Sequence, residues 1–347
     1  MIQPEELTMK NTGLLATLAV SASLLATAVQ AETRLKVADS FPTSHYISVE
    51  AAKKFMDEAT RLSNGELQFD YFPTEQLGKA KDLLQLTTTG LTDIAYIVPS
   101  YAPDKLPMSS VAELPGMYST SCEGTHAFWK LIDEGGILNR EEFEPNGVVP
   151  LMGFALPPYQ ISVTAKPLDG IDALKGQKIR AAGGAFELTL RALEAVPVRM
   201  AAPEIREALV RGTIDGSVGP LVSLAPYDLL TVMRHGTQKA SFGGFVGTYS
   251  ISKEVWDGLS QEQQAALKEA GRSTMEHFCT YADDNEAAGA KAFEEAGGTL
   301  WPYSAEQNAE LAERVQPVAD DWATRLEERG LPARQVLDAY KAARASN

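Results

Sequence analysis

The chain has 347 residues, of which 46 are acidic and 31 are basic, so its formal net charge at pH 7 is −15. This excess of carboxylates repels phosphate groups and argues against nucleic acid and anionic lipid surfaces as partners. The composition is that of an ordinary globular protein, and the length exceeds what one compact core usually holds, which predicts two domains.

The first 31 residues have the pattern of an export signal. Lys10 supplies a positive charge, and residues 13–29 form an uncharged run of Leu, Ala, Val, Ser and Thr. The small residues at 29–31 form a cleavage site, which predicts a mature chain that begins at Glu32, outside the cytoplasm. An uncleaved membrane anchor is the alternative, although the apolar run is short for a bilayer span.

The two cysteines, Cys122 and Cys279, are far apart in the sequence and match no metal or redox motif. In an exported protein they are able to form a disulfide. Two buried free thiols are the alternative, and the sequence leaves both open.

The first part of the chain alternates strands and helices. The predicted elements are a strand at 35–38, a helix from about Ile47, a strand at 67–72, a helix at 79–89 and a strand at 94–98. This order predicts a mainly parallel sheet with right-handed crossovers.

A similar pattern follows further along the chain. Strands are predicted at 160–164, 176–180, 198–200 and 213–218, and helices at 186–193 and 202–210. The last hundred residues are mostly helical, with long stretches at 261–296 and 304–329. The two α/β units predict two lobes with a cleft, and ligands of such sheets bind at the carboxyl ends of the strands.

The predicted strand that ends at Arg180 is the most informative candidate site. A loop with Gly183 and Gly184 follows, and a helix begins near Ala185. The arginine offers a planar set of donors, and the helix N-terminus points free N–H groups at the same region. The sequence therefore predicts a small-anion site here. The strand-end loops at 40–45, 99–101, 180–184 and 218–220 are expected to face one crevice.

Six segments carry a resemblance to a known family. They are YFPTEQLG at 71–78, TGLTDIA at 89–95, KPL at 166–168, LKGQKIR at 174–180, AVPV at 195–198 and EALVRGTIDG at 207–216. Because these six segments occur in the family's order and spacing, the chain resembles the periplasmic solute-binding proteins of TRAP transporters, of the dicarboxylate-binding type. The resemblance covers nearly the whole chain after the export signal.

The resemblance implies an α/β fold of two lobes, each a mainly parallel sheet flanked by helices, joined by hinge strands and a long helix. The expected boundaries are 32–155 plus 242–280 for lobe I, and 156–241 plus 281–347 for lobe II. It also implies that Arg180 pairs with the carboxylate of the ligand.

The chain departs from the family pattern at two places. No arginine stands in the stretch 156–160, where acid-sugar binders of the family often carry a second one, and Ser217 replaces a frequent Asn. We therefore expect a ligand with one anionic group and a less polar remainder. The neutral candidate ligand-binding residues beside Arg180 are Phe41, His45, Tyr101, Tyr159, Gln160, Gly219 and Phe242. For His45 the alternative role is to cap the helix that begins near Ile47.

The functional expectation is a periplasmic component of a TRAP transporter. It captures a small organic anion, a carboxylate or a sulfonate, by hinge closure and delivers it to the small and large membrane subunits of the permease. We expect a monomer without a cofactor and identify no metal-ligand set, and the sequence leaves open whether a metal ion bridges the ligand and the protein. A ligand-sensing periplasmic protein that docks onto a membrane receptor is the alternative. The sequence contains no nucleophile elbow, HExxH, P-loop or CxxC motif, which argues against an exported enzyme.

Overall fold

A computed structural model describes residues 32–346, and the predicted export signal at residues 1–31 lies outside this range. The strands in the described range are β1 Thr33–Ala38, β2 Leu67–Phe72, β3 Ile94–Ile97, β4 Val148–Ala155, β5 Gln160–Val163, β6 Lys178–Ala181, β7 Val196–Arg199, β8 Gly216–Gly219, β9 His235–Gln238, β10 Val246–Ser252 and β11 Thr299–Pro302.

The α-helices flank these strands, and a short helix at Ser48–Lys53 leads directly into the first of them. They are α1 Lys54–Leu62, α2 Leu83–Thr88, α3 Ser121–Ile132, α4 Ala185–Ala192, α5 Ile205–Val210, α6 Lys253–Gly258, α7 Gln261–Glu295, α8 Ala305–Val315, α9 Val318–Glu327 and α10 Ala333–Ala345. None of the helices in residues 32–346 combines the length and the hydropathy that a membrane span requires.

The strands form two sheets, which confirms the predicted two-sheet α/β fold. The first sheet has the order β2-β1-β3-β10-β4, and the second has the order β11-β9-β5-β8-β6-β7. Both are mixed rather than mainly parallel, because β10 runs antiparallel to β3 and β4, and β5 runs antiparallel to β8 and β9. The parallel pairs, such as β1 with β2 and β6 with β7, come from the local βαβ units that the sequence predicted.

The chain passes between the sheets through two extended segments and one helix. Residues 156–159 join β4 to β5, and residues 239–245 join β9 to β10. The two segments hydrogen-bond to each other: the N–H of Leu156 donates to Phe245 O (2.9 Å), and that of Tyr159 donates to Gly243 O (3.0 Å). They therefore form a paired, two-stranded connection between the sheets.

The third connection is α7, which has 35 residues and packs against both sheet regions. A Cβ at Gly271 would lie 1.9 Å from Leu151 O of β4, and one at Gly289 would lie 2.4 Å from Val222 N. Glycine at these positions lets the helix backbone approach each side closely. The helix begins with a capping box of Ser260 and Gln263.

A disulfide joins Cys122 of α3 to Cys279 of α7, with a Cα–Cα distance of 4.7 Å. Of the two alternatives that the sequence left open, the structure therefore has the pair. The carboxylate of Asp283 accepts hydrogen bonds from the N–H groups of Ser121 and Cys122, so α7 also caps the start of α3.

Several elements differ from the prediction. The stretch 304–329 is two helices, α8 and α9, because Pro317 lacks the N–H that a continuous helix needs. Strands β4, β9, β10 and β11 were missed, as were helices α3 and α10. Helix α10 packs on α3, where Arg344 forms an ion pair with Glu123. It therefore contacts a helix in the range expected for lobe I, although 281–347 was expected to belong to lobe II.

Candidate functional site

A cavity lies between the two sheets and has about 650 Å³ of space between the protein atoms, part of it open to solvent. All four predicted strand-end loops contribute to it, and Arg180 is its one charged side chain within residues 32–346. The wall is otherwise apolar, aromatic or uncharged. Its main side chains are Phe41, His45, Tyr96, Tyr101, Leu156, Tyr159, Ser162, Ile205, Ser217, Ser223, Tyr227 and Phe245.

Arg180 reaches the cavity from the end of β6 and is only 3% exposed. Its Nε donates to Met200 O (2.9 Å), and one Nη donates to the hydroxyl of Tyr101 (3.2 Å). Within residues 32–346 no carboxylate forms an ion pair with it. A guanidinium has five N–H donors, so most of its binding capacity is left for a ligand.

Tyr101 fixes this guanidinium from the side of the first sheet. Its hydroxyl also accepts the N–H of Ala202 (2.9 Å), so one oxygen holds Arg180 and the backbone that precedes α5. Tyr159 lies in the segment between the sheets and stacks on Phe186 and Phe245, with ring centroids 5.2 and 5.7 Å away. Both tyrosines line the cavity.

Glu113 is a buried acid whose pKa is affected by the charge of Arg180. Burial raises the pKa of Glu113 to about 8, with the guanidinium as a weak opposing influence. The hydroxyl of Ser100 donates a hydrogen bond to one carboxyl oxygen of Glu113. The other carboxyl oxygen lies close to Gly184, where a Cβ would be 2.5 Å from it. Because this carboxyl is neutral at pH 7, it leaves the charge of Arg180 uncompensated.

The loop after β1 forms the opposite wall. Phe41 and His45 are stacked with centroids 4.7 Å apart, and the N–H of Ile47 donates to Nδ1 of His45 (3.1 Å). His45 therefore caps the helix, which was the alternative role, and its side chain also lines the cavity, so that its contact with a ligand stays a prediction. Asp39 anchors the loop, since its carboxylate accepts the N–H of Phe41 (3.0 Å) and the hydroxyl of Tyr249 (2.8 Å).

Two predicted site residues lie away from the cavity. Gln160 faces the other side of the connection, where its amide donates to Ala240 O and accepts the hydroxyl of Thr237 (3.0 Å). Phe242 is fully buried against Tyr303, with centroids 6.0 Å apart. Both residues therefore hold the fold together. Neither residue lines the cavity around Arg180 as expected, whereas Gly219 does line it.

Sequence reasoning missed Tyr96, Ser223 and Tyr227 among the cavity residues. Tyr96 lies inside β3, where an aromatic residue is typical of a core strand. Tyr227 lies in the stretch between β8 and β9, which has no periodic pattern. One signal was available for Tyr96: it lies on the strand whose end, at 99–101, was expected to face the crevice.

One cluster in the described residues has metal-ligand geometry, formed by His126, Glu276 and Cys279 with donor atoms within 4.8 Å of one another. The sulfur of Cys279 is bonded to Cys122 and supplies no thiolate, which is the form that binds metals. This cluster is therefore not a metal centre.

Two sheets joined by extended segments around a cavity with one buried cation define a two-lobed solute-binding protein. A family model described as "Bacterial extracellular solute-binding protein, family 7" matches residues 39–325. The chain belongs to this family, the TRAP-type periplasmic binding proteins, and the predicted resemblance is confirmed. Its family description is that of a solute-binding protein.

Known proteins with similar sequences or folds include binders of organic acids. The C4-dicarboxylate-binding periplasmic protein of Rhodobacter capsulatus is 27% identical over 85% of this chain and 86% of its own length. A solute-binding protein from Rhodoferax ferrireducens, solved with copurified benzoate, has a TM-score of 0.83 at 22% identity and covers 90% of this chain and 98% of its own.

A marine metagenome protein described as specific for aromatic acid ligands was solved with metahydroxyphenylacetate. It has a TM-score of 0.84 at 23% identity, and the match covers 91% of this chain and 99% of that one. At this level of identity the two solved structures establish the fold.

Proposed function

We propose that this protein captures a small organic monocarboxylate in the periplasm and delivers it to a TRAP permease. The observation that carries the proposal is Arg180, a buried guanidinium without an acidic partner in residues 32–346. A buried charge costs free energy unless it is paired. A ligand carboxylate supplies the missing partner and is able to accept two parallel N–H bonds.

The rest of the cavity favours a flat, mostly apolar ligand. Phe41, Tyr96, Tyr159, Tyr227 and Phe245 line it with aromatic rings. A second carboxylate would find no second cation among the described lining residues. The benzoate and metahydroxyphenylacetate of the two similar structures have this chemistry, which supports an aromatic acid as ligand here.

The proposed mechanism is closure of two lobes around the ligand. The expected lobes are 32–155 plus 242–280 and 156–241 plus 281–347. Two of these boundaries are supported by the paired segments at 156–159 and 239–245, because the chain passes from one sheet to the other within them. The carboxylate bridges Arg180 of the second sheet and the wall from the first sheet. The ligand must bind the closed form better than the open form to shift that equilibrium.

The partners and the cellular location complete the proposal. The small and large membrane subunits of the permease receive the closed, liganded protein, which acts as a monomer. The periplasmic relative from Rhodobacter capsulatus and the signal pattern at residues 1–31 support export, with cleavage after Ala31. Mass spectrometry of the protein from a periplasmic extract tests this: a mature N-terminus other than Glu32 would refute that cleavage site.

A thermal-shift screen with small organic acids tests the function itself. A tight ligand stabilises the folded protein by about 3–4 kcal/mol at concentrations 100 to 1,000 times its Kd. We expect shifts with aromatic monocarboxylates and none with the corresponding amides, such as benzoate against benzamide. Shifts with neutral sugars or amines, and none with any acid, would overturn the proposal.

A further inference from the structure

His45 uses one ring nitrogen within the protein and leaves the other free. Its Nδ1 accepts the N–H of Ile47, and the ring is fully buried between Phe41 and Tyr46, with centroids 4.7 and 4.6 Å away. A neutral imidazole whose Nδ1 is an acceptor carries its proton on Nε2. This assignment comes from the hydrogen-bond pattern.

The Nε2–H of His45 is therefore a buried donor without an acceptor in residues 32–346, on a side chain that lines the cavity. Burial lowers the pKa of His45 to about 3, so the ring stays neutral at physiological pH. No group of residues 32–346 hydrogen-bonds to Nε2, and the residue lines the cavity. An unpaired buried donor destabilises a protein, so a partner from the ligand is favoured.

The hydroxyl of Tyr96 is a second polar group of this kind. Tyr96 is 1% exposed and lines the same cavity, and its oxygen lacks a hydrogen-bond partner among the described residues. Its ring lies 4.8 Å from that of Phe41, which in turn stacks on His45. The two unpaired groups therefore belong to the same wall, around one phenylalanine.

This wall is distinct from the carboxylate end of the cavity. His45 comes from the loop after β1 in the first sheet, and Arg180 comes from β6 in the second sheet. The guanidinium and the imidazole therefore reach the cavity from different sheets.

We propose that the ligand is a hydroxyaryl carboxylate whose hydroxyl binds between His45 and Tyr96. Its carboxylate pairs with Arg180, its hydroxyl oxygen accepts from Nε2–H of His45, and its hydroxyl proton is donated to the oxygen of Tyr96. A hydroxyl fits this position because it accepts and donates at once. The inference rests on the proposed function, since it adds the ligand class to the same site.

Isothermal titration calorimetry with matched ligands is the test. The probes are 3- and 4-hydroxybenzoate, each paired with the methylbenzoate that has a group of similar size but no hydrogen bond. We expect one hydroxybenzoate to bind about 10- to 100-fold more tightly than its methyl partner, because the methyl group leaves both protein groups unpaired.

Two substitutions of His45 separate its donor from its role as a helix cap. In His45→Asn the side-chain oxygen keeps an acceptor for the N–H of Ile47 but places no donor at the former Nε2. In His45→Gln the amide nitrogen reaches that position. We expect the hydroxyl-to-methyl affinity ratio to fall to within about twofold in the Asn variant and to be partly kept in the Gln variant.

Tyr96→Phe is an independent variant that keeps the aromatic ring but removes the hydroxyl. We expect it to lower the hydroxyl-to-methyl affinity ratio several-fold. Thermal unfolding monitors the fold of each variant, and if His45→Asn does not fold, Tyr96→Phe decides. Equal binding of hydroxy- and methylbenzoates by the unsubstituted protein, or a ratio unchanged in the folded variants, overturns the proposal. If other acids bind through Arg180 but no hydroxybenzoate binds, the ligand class proposed here is refuted and the proposed function is retained. If no acid binds at all, both proposals are refuted.

Discussion

The two walls of the cavity differ in the chemical groups that they present. The wall from the second sheet presents the buried guanidinium of Arg180, held by Met200 O. The wall from the first sheet presents the neutral rings of Phe41, His45 and Tyr96. The positive charge therefore lies on one side of the cavity and the uncharged aromatic surface on the other, so under the proposed function a ligand must contact both walls.

Tyr101 is the exception that joins the walls. It follows β3 of the first sheet, yet its hydroxyl accepts hydrogen bonds from Arg180 and from the N–H of Ala202 on the other side. The hydroxyl of Tyr46 makes a similar bridge to Ser223 Oγ (2.9 Å). These contacts hold the walls together across the cavity.

Arg180→Ala tests the charged wall and has the largest expected effect. Loss of a desolvated charge pair typically costs about 2–5 kcal/mol, so the affinity for an organic acid should fall at least about 30-fold in calorimetry. The unliganded fold should be retained, because an unpaired buried charge is removed. Arg199→Ala is the control, since Arg199 is exposed on β7 and pairs with Glu187. Unchanged affinity of Arg180→Ala would contradict the assignment.

The double variant Cys122→Ser, Cys279→Ser tests whether stability and recognition are separable. The disulfide closes a long loop between α3 and α7, and its loss should lower the free energy of unfolding by about 2–4 kcal/mol. Neither cysteine lines the cavity, so the affinity should stay within about twofold. Denaturant unfolding and calorimetry measure the two quantities. A large loss of affinity would show that the α3–α7 link shapes a wall.

Glu113→Gln tests the neutral acid near the charged wall. Burial raises the pKa of Glu113 to about 8 from 4.5, so between these values the folded protein holds a proton that the unfolded chain releases. Its contribution to stability is therefore full below about pH 4.5 and is lost as the pH rises towards 8.

Glutamine stays neutral throughout this range, so the variant should gain stability over the parent as the pH rises. We expect a gain on the order of 3 kcal/mol between pH 5 and 8. The difference between the two proteins is the relevant quantity, because burial also raises the pKa of Asp39, Glu142 and Glu286. A difference that is constant with pH would mean that Glu113 is ionised and partly neutralises Arg180.

Tyr101→Phe tests the bridge between the walls and has the smallest expected effect. The substitution keeps the ring but removes the acceptor of Arg180 and of the Ala202 N–H. The guanidinium remains buried and loses orientation, so the affinity should fall about 5- to 10-fold, or about 1 kcal/mol. Tyr71→Phe, which removes a hydroxyl bonded to Asp39 outside the cavity lining, is the matched control. Equal effects of the two variants would argue against a specific role for Tyr101.

The errors in the predicted site have a local physical cause. Tyr159 and Gln160 are neighbours where β5 begins, and successive side chains of an extended chain point to opposite faces. Tyr159 therefore lines the cavity while Gln160 bonds to the backbone behind it. Phe242 and Phe245 are separated by Gly243 and Gly244. The φ of 137° at Gly243 turns the chain, and only Phe245 reaches the cavity.

The mixed sheets show which part of the fold could not be predicted from the sequence. The βαβ units are local, and their parallel pairs were predictable from alternating strands and helices. Strand β10 lies between β3 and β4, although roughly 90 or more residues separate it from either. No periodicity within β10 itself indicates which strands it will join, so its antiparallel pairing could not be predicted.

The two α/β units, the family, the export pattern and the place of Arg180 at a strand end were predictable from the amino-acid sequence. Each of these predictions rests on segments whose residues are close in the chain. The mixed sheets, the pairing of Cys122 with Cys279, and the common wall of His45 and Tyr96 became evident only in the folded structure. The reason is that these contacts join residues far apart in sequence, and packing, not local preference, selects them.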